Sequence, residues 1–351
     1  MGHYSAITGW GMKVPDKVLT NADLERMVDT SDEWITSRTG IKERHVVSEG
    51  ETTSTLAIAA ARQALERAGL EGKDLDLIIV ATVCPDYRFP STANLVQHAL
   101  GAQCGSFDMQ AACSGFLYGV SVAHQFVANG GAKHALVIGV ETLSQIIDYQ
   151  DRATCVLFGD GAGAFVLSAS DEPGGLLGFT LGSDGARPDL LWIPTGGSAE
   201  PATEETIRQR RNFVQMNGSE VFKFATRIMG TAMEEALANA GMTADDMDLF
   251  LPHQANLRII ESASKRLNLT PEKVFVNIEK YGNTSAAAIP IALCEAIDQG
   301  RVFPGAHLGM VAFGAGLTWA AAVVKWTAVI PDRATSEAES AREPAHAGAS
   351  K

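Results

Sequence analysis

Along this chain, short apolar runs bounded by polar or glycine residues alternate with longer stretches in which apolar residues recur every three or four positions. Leu77-Ile78-Ile79, Ala135-Leu136-Val137-Ile138, Ala164-Phe165-Val166-Leu167, Leu249-Phe250-Leu251 and Ala320-Ala321-Ala322-Val323-Val324 read as buried strands, as does the run at 308–313. Residues 116–129 and 257–267 read as helices. So does the stretch that begins at the capping residues Thr52-Thr53-Ser54-Thr55 and runs through Ala68. Apolar strands separated by helices predict an α/β protein whose sheets are covered on both faces.

The pattern also repeats. Ala64-Leu65-Glu66-Arg67-Ala68-Gly69-Leu70 precedes Asp76-Leu77-Ile78-Ile79, and Ala236-Leu237-Ala238-Asn239-Ala240-Gly241-Met242 precedes Asp248-Leu249-Phe250-Leu251. The shift from Ala64 to Ala236 is 172 positions, and so is the shift from Asp76 to Asp248. In each copy the helix ends at a glycine suited to the left-handed position after a helix. An offset near half the chain means two related halves, 1–172 and 173–327, not a solenoid of small units. A pseudo-twofold axis between them brings equivalent turns together. Cys113, after a strand-like run at 105–109, and Asn283, after one at 274–278, lie on such turns. The stretch through Gly50 and residues 171–215, rich in Gly, Pro and charge, fall outside the repeated core. After Trp326 the composition shifts to Ala, Glu and Ser, so residues 328–351 are expected to be a disordered tail.

Composition sharpens the picture. The 351 residues carry a net charge of −13, with 46% hydrophobic and 20% charged residues: a globular chain with a large core and no electrostatic attraction to nucleic acid. No apolar run is long enough for a bilayer, and the N-terminus lacks the basic and apolar regions of a signal peptide. Cys84, Cys104, Cys113, Cys155 and Cys294 show neither CxxC nor metal-ligand spacing. They read as reduced thiols of a cytoplasmic protein with no metal.

Ala111-Ala112-Cys113-Ser114-Gly115 places a cysteine between a strand end and a helix start, where the helix field is expected to lower the thiol pKa and small neighbours let a substrate approach. Pro252-His253-Gln254-Ala255-Asn256 puts His253 on a strand-to-helix turn of the second half, and Gly282-Asn283-Thr284-Ser285 does the same for Asn283. A thiolate takes an acyl group as a thioester. A neutral imidazole and a carboxamide then stabilise an enolate or oxyanion without adding charge, one such donor lowering the barrier by about 3 kcal/mol. The turn Gly314-Ala315-Gly316 offers a backbone N–H to the acyl oxygen, with the Cys113 N–H as a second donor. Gly159-Asp160-Gly161-Ala162-Gly163 lacks the strand-to-helix setting of a dinucleotide fingerprint and is read as close backbone packing. A papain-like hydrolase would not be duplicated and would carry its cysteine near the mature N-terminus.

These motifs resemble the β-ketoacyl-acyl-carrier-protein synthase III family of the thiolase-like superfamily. Also similar are Thr30-Ser31-Asp32-Glu33-Trp34-Ile35, Arg38-Thr39-Gly40-Ile41 and Phe313-Gly314-Ala315-Gly316-Leu317-Thr318-Trp319. The resemblance spans residues 5–326. It implies a duplicated αβαβα layered fold, a homodimer, and initiation of fatty-acid synthesis with no cofactor, acyl-CoA being a substrate. Cys113 would accept the acyl group, and His253 and Asn283 would hold malonyl-acyl-carrier protein during decarboxylation. Cys113 and Ala315 N–H groups would form the oxyanion hole. The resemblance gives Trp34 and Arg152 as the partners of the CoA adenine and Arg38 as the phosphate partner, with Thr30 and Asn256 as further contacts. Phe89 is similar to a residue that closes the partner's acyl pocket. Arg258, Lys265 and Arg266, on one face of the helix after His253, offer a basic stripe for an acidic carrier protein. A cysteine-dependent acyltransferase or thioesterase of secondary metabolism is the alternative enzyme reading, and a carrier-binding scaffold with a relic site the non-enzymatic one.

Overall fold

The computed structural model describes residues 4–330; residues 331–351, most of the tail expected to be disordered, lie outside the described residues. Nine strands form one mixed sheet: β1 (Tyr4–Lys13), β2 (Leu77–Ala81), β3 (Gly105–Met109), β4 (His134–Glu141), β5 (Gly161–Ser170), β6 (Gly175–Ser183), β7 (Leu249–Pro252), β8 (His307–Gly314) and β9 (Thr318–Lys325). The order is β7-β8-β9-β6-β1-β5-β4-β2-β3. Outward from the centre, β1-β5-β4-β2-β3 on one side is matched by β6-β9-β8-β7 on the other, with an isolated parallel bridge from Phe250 to Val274 in the last place. Directions match as well: antiparallel, antiparallel, parallel, parallel on each side. The halves meet where Ser5 pairs with Gly175.

This order corrects the boundary of the repeat. β1 and β6 both lie in stretches set outside it from sequence, yet they are its equivalent first strands. Glycine hides their strand pattern, and helix packing demands that glycine. A Cβ on Gly9 would sit 2.0 Å from Ala64 O, and one on Gly178 would sit 2.6 Å from Ala240 N. The strand expected at 274–278 is reduced to that one bridge. There the Gln254 side chain bonds Phe275 O and Asn277 N, groups a longer ladder would have used.

Six helices matter for the site: α1 (Asp32–Thr39), α2 (Thr53–Ala68), α3 (Gly115–Ala128), α4 (Gly218–Asn239), α5 (Leu257–Arg266) and α6 (Ala288–Asp298). Thr52 caps α2 by accepting from Thr55 N. The chain turns after α2 at Gly69 (φ 65°) and after α4 at Gly241 (φ 68°), as the repeat predicts. Residues along α3 and α6 are mostly apolar and buried except near the C-terminal ends, the pattern of helices enclosed by their neighbours. They form the central layer. On β4, Ala135 and Val137 pack toward it, while Leu136, Ile138 and Val140 pack toward α2. On β8, Leu308, Met310 and Ala312 face inward, while Val311 and Phe313 face α4 and α5. The two sides of the sheet, joined at Ser5 and Gly175, thus enclose α3 and α6 between them, and the five layers are α-β-α-β-α, the duplicated arrangement the resemblance implied.

Candidate active site

The two central helices are entered through equivalent turns, Ala112–Ser114 and Ser285–Ala287. At each turn one non-glycine residue holds a left-handed conformation, Ala112 at φ 47° and Ser285 at φ 49°. Such a conformation is disfavoured for a residue with a Cβ and persists only where the surroundings enforce it. Here it turns Cys113 toward the second half. Thr318 Oγ1 bonds Ala111 O at 2.8 Å and lies 3.2 Å from Ala315 O, tying the cysteine turn to the β8–β9 turn.

Gly314 makes that approach possible. A Cβ there would lie 2.6 Å from Cys113 N and 3.2 Å from Cys113 Cβ. Gly314→Ala is expected to displace the cysteine turn and lower stability by about 1–3 kcal/mol. Gly185→Ala, with nothing within 4 Å of its Cβ, is the control. Urea unfolding of the two variants checks the contrast.

His253 directly follows β7. Its N–H donates to Val311 O at 2.7 Å, and its ring packs edge-on to Phe313. It is fully buried, yet neither Nδ1 nor Nε2 has a hydrogen-bond partner. Burial pulls its pKa down to about 3, so the ring is neutral at physiological pH. Asn283 is held by backbone pairing with the first half: its N–H donates to Leu157 O, and its carbonyl accepts from Gly159 N. Its Oδ1 accepts from Ser285 N at 2.9 Å, which turns the NH2 away and leaves it as a free donor. Orphaned polar groups this deep mark a place prepared for a ligand.

Cys113, His253 and Asn283 line one cavity of about 90 Å³, together with Phe158 and Gly314. Cys113 also opens onto a second, apolar cavity of about 420 Å³. Leu143, Ile146, Leu191, Ile193 and Val214 contribute its walls, and Ala315 and Gly316 lie at its edge. The sulfur thus stands between a narrow passage that carries His253 and Asn283 and a wide greasy chamber. One expectation is reversed. Burial pushes the Cys113 thiol up to about 12, with a hydrogen bond from Ser285 working against the rise. Desolvation of a thiolate at this depth outweighs the pull of the helix start.

The remaining candidates divide. Trp34 carries both expected cations: the guanidinium carbons of Arg38 and Arg152 lie 4.8 and 5.3 Å from its ring centroid. Arg152 also bonds Asp29 O at 2.7 Å, and the nearby Thr30 hydroxyl is buried without a partner. Asn256 lines the narrow cavity, but its side chain is engaged: it caps α5 through Arg258 N and donates to Arg38 O. Phe89 is 86% exposed and lines neither cavity of this chain. Arg258 lies over the Phe222 ring, Lys265 borders a separate groove, and Arg266 forms a two-point ion pair with Glu234. The stripe is therefore interrupted at Arg266. Gly159 packs against Tyr281 O, and Asp160 accepts from Val47 N and Ser144 N, as expected of a packing motif. Sequence reasoning missed Ser285 and Glu141 behind the cysteine. A lone acid closing the apolar strand β4 was the available signal. Among the described residues no cluster of His, Cys, Asp or Glu could hold a metal, and no helix is long and apolar enough to cross a membrane.

Comparison with known proteins agrees with this geometry. Residues 107–185 match the family model for 3-oxoacyl-[acyl-carrier-protein (ACP)] synthase III, and residues 237–326 match the model for its C-terminal part. β-Ketoacyl-[acyl-carrier-protein] synthase III of Roseiflexus sp. (strain RS-1) is 54% identical over 93% of this chain and 100% of its own. The protein of the same name from Desulfitobacterium hafniense (strain DCB-2) is 56% identical over 92% and 97%. The crystal structure of 3-oxoacyl-[acyl-carrier-protein] synthase III from Aquifex aeolicus superposes with a TM-score of 0.85 at 48% identity, covering 92% of this chain and all of that one. The priming β-ketosynthase of the R1128 polyketide pathway gives 0.87 at 35% identity, covering 94% and 98%. With relatives this similar along nearly its whole length, the chain belongs to the β-ketoacyl-[acyl-carrier-protein] synthase III family.

Proposed function

We propose that this chain initiates fatty-acid synthesis by a two-stage condensation on Cys113. The sulfur attacks the carbonyl of acyl-CoA, the thioester transfers, and CoA leaves. Malonyl-acyl-carrier protein then enters the narrow passage. The bond from its α-carbon to the carboxylate breaks, CO2 departs, and the electron pair remains as an enolate. His253 Nε2–H and the Asn283 NH2 donate to the thioester oxygen on which that charge develops. The carbon attacks the acyl-Cys113 carbonyl, whose oxyanion is received by the N–H groups of Cys113 and Ala315, and the Cys113 sulfur is expelled. The observation that carries this reading is a set of unpaired polar groups. A neutral buried histidine, neither of whose ring nitrogens has a partner and one of which bears a proton, and a pre-aimed carboxamide share one cavity with the thiol. Donors fixed before the charge appears need no reorganisation when it does.

The apolar chamber is the proposed place of the acyl chain, and the Trp34 cluster that of the CoA adenine, which would take the position of one guanidinium against the indole. Trp34→Ala is expected to raise the KM for acyl-CoA about 10-fold through lost stacking. The rate with a short thioester lacking the nucleotide should hold. Two copies of the chain, each built of the halves 1–172 and 173–327, are proposed to pair as a homodimer through β3, the open edge of the sheet, with exposed Phe89 reaching the partner's chamber. Arg258 and Lys265 are the proposed docking cations for the acidic carrier protein. The deciding experiment supplies labelled acyl-CoA and malonyl-carrier protein together. CO2 release with formation of a β-ketoacyl thioester supports the condensation. Labelled free acid without CO2 release would replace it with a thioesterase.

A further inference from the structure

Behind Cys113 lies a carboxyl group that the steps above do not use. Glu141, the last residue of β4, is completely buried. Its Oε2 accepts from Val83 N at 3.1 Å and lies 3.3 Å from Thr82 Oγ1, and its Oε1 accepts from Ser285 Oγ at 3.1 Å. The Cys84 thiol acts on this carboxyl as well. Ser285 lines the larger chamber beside Cys113, and its hydroxyl opposes the rise of the Cys113 thiol. The groups run in series: thiol, hydroxyl, carboxyl. The serine stands at the left-handed position of its turn, as Ala112 does in the cysteine's turn.

We propose that Glu141 is the proton acceptor for Cys113, reached through the hydroxyl of Ser285. As the sulfur forms its bond to the acyl carbon, the thiol proton passes to Ser285 Oγ and the serine's own proton passes to Glu141 Oε1. CoA departs as a thiolate and takes a proton from water. Glu141 stays protonated for the life of the acyl-enzyme. When carbon–carbon bond formation expels the Cys113 sulfur, the proton returns by the same route and the site is reset. A carboxyl with no solvent contact suits this duty, because a buried charge is costly and the loaded state is neutral. Burial holds Glu141 up at about 7 and the thiol at about 12, so the thiol needs an acceptor and the carboxyl can serve as one near neutral pH. The ionisable groups facing Glu141 are Cys84 and Cys113, and Asp160 acts on Cys84.

The proposal rests on Cys113 as the acyl acceptor, and its test separates the two ideas. An ionised carboxylate that merely sat nearby would raise the thiol's pKa, so Glu141→Gln would then speed attack by Cys113. A proton acceptor predicts the opposite sign. In E141Q, acyl transfer from acyl-CoA to Cys113 should slow about 10- to 100-fold. Alkylation of Cys113 by iodoacetamide, followed peptide by peptide, should move to higher pH, and the loss should concentrate in acylation rather than CO2 release. Faster alkylation, an unchanged pH profile, or equal loss in both half-reactions overturns the relay while leaving Cys113 as nucleophile. Absence of label on Cys113 in the unaltered protein would instead remove the reading beneath it. If E141Q does not fold, Ser285→Ala breaks the chain at its middle. Alanine already holds the equivalent conformation at Ala112. S285A must show the same upward shift, and a normal profile there defeats the proposal.

Discussion

Replacing Cys113 with alanine is expected to lower acyl transfer from acyl-CoA by at least about 10³-fold, since removing a nucleophile removes the covalent route altogether. The cavity should survive, because Ala fills less space and the turn is fixed by Ala112, Thr318 and Gly314 rather than by the sulfur. CO2 release from malonyl-carrier protein should therefore persist in the variant, though no β-ketoacyl product forms. Labelled acyl-CoA followed by peptide mapping measures the first effect, and bicarbonate or CO2 assay the second. Transfer that continues, with label on Cys84 or another thiol, would contradict the assignment.

The second large effect belongs to Asn283. Asn283→Ala should reduce decarboxylation by about 10²- to 10³-fold, the usual cost of losing one preorganised donor to a developing oxyanion. Alanine also strips the acceptor from Ser285 N, so part of the loss would reflect a loosened turn. Asn283→Asp isolates the donor. Its carboxylate keeps an oxygen for Ser285 N but has no N–H to give and adds charge where charge must form. Both variants should acylate Cys113 far better than they decarboxylate. Equal damage to the two half-reactions would show that Asn283 supports the architecture and does not meet the malonyl group.

How much of this was legible in the sequence depends on what each residue's message was. Helix ends at Gly69 and Gly241, and the shared shift between them, revealed the duplication, because a left-handed turn after a helix is a local demand written in one letter. The convergence of Cys113, His253 and Asn283 followed from that symmetry, since Cys113 and Asn283 lie at equivalent turns before the central helices and His253 follows a strand end. β1 and β6 were hidden because their glycines answer to helices distant in sequence. The direction of the thiol's shift was misread for a related reason. A helix start is visible in Cys113-Ser114-Gly115, but the depth of burial is set by β8, β9 and the loop at 157–159, which no local pattern reports. Ser285 stands in the sequence only as part of the Asn283 turn, and Glu141 lies beyond the apolar run at 135–138 that marks its strand. The task proposed for them depends on their meeting behind the cysteine, which neither stretch shows by itself.

The larger chamber has one more implication. Leu143, Ile146, Leu191, Ile193 and Val214, on its walls, belong to connecting segments or short peripheral pieces, while the reacting groups are anchored to the ends of core strands and the mouths of central helices. With the acyl chain in this chamber, as proposed, primer choice would rest on those connectors more than on the groups that make the bond. Drift in those connectors can lengthen, shorten or branch the accepted starter while the machinery beside it stays in register, so a lineage could retune its lipid composition without reinventing the reaction.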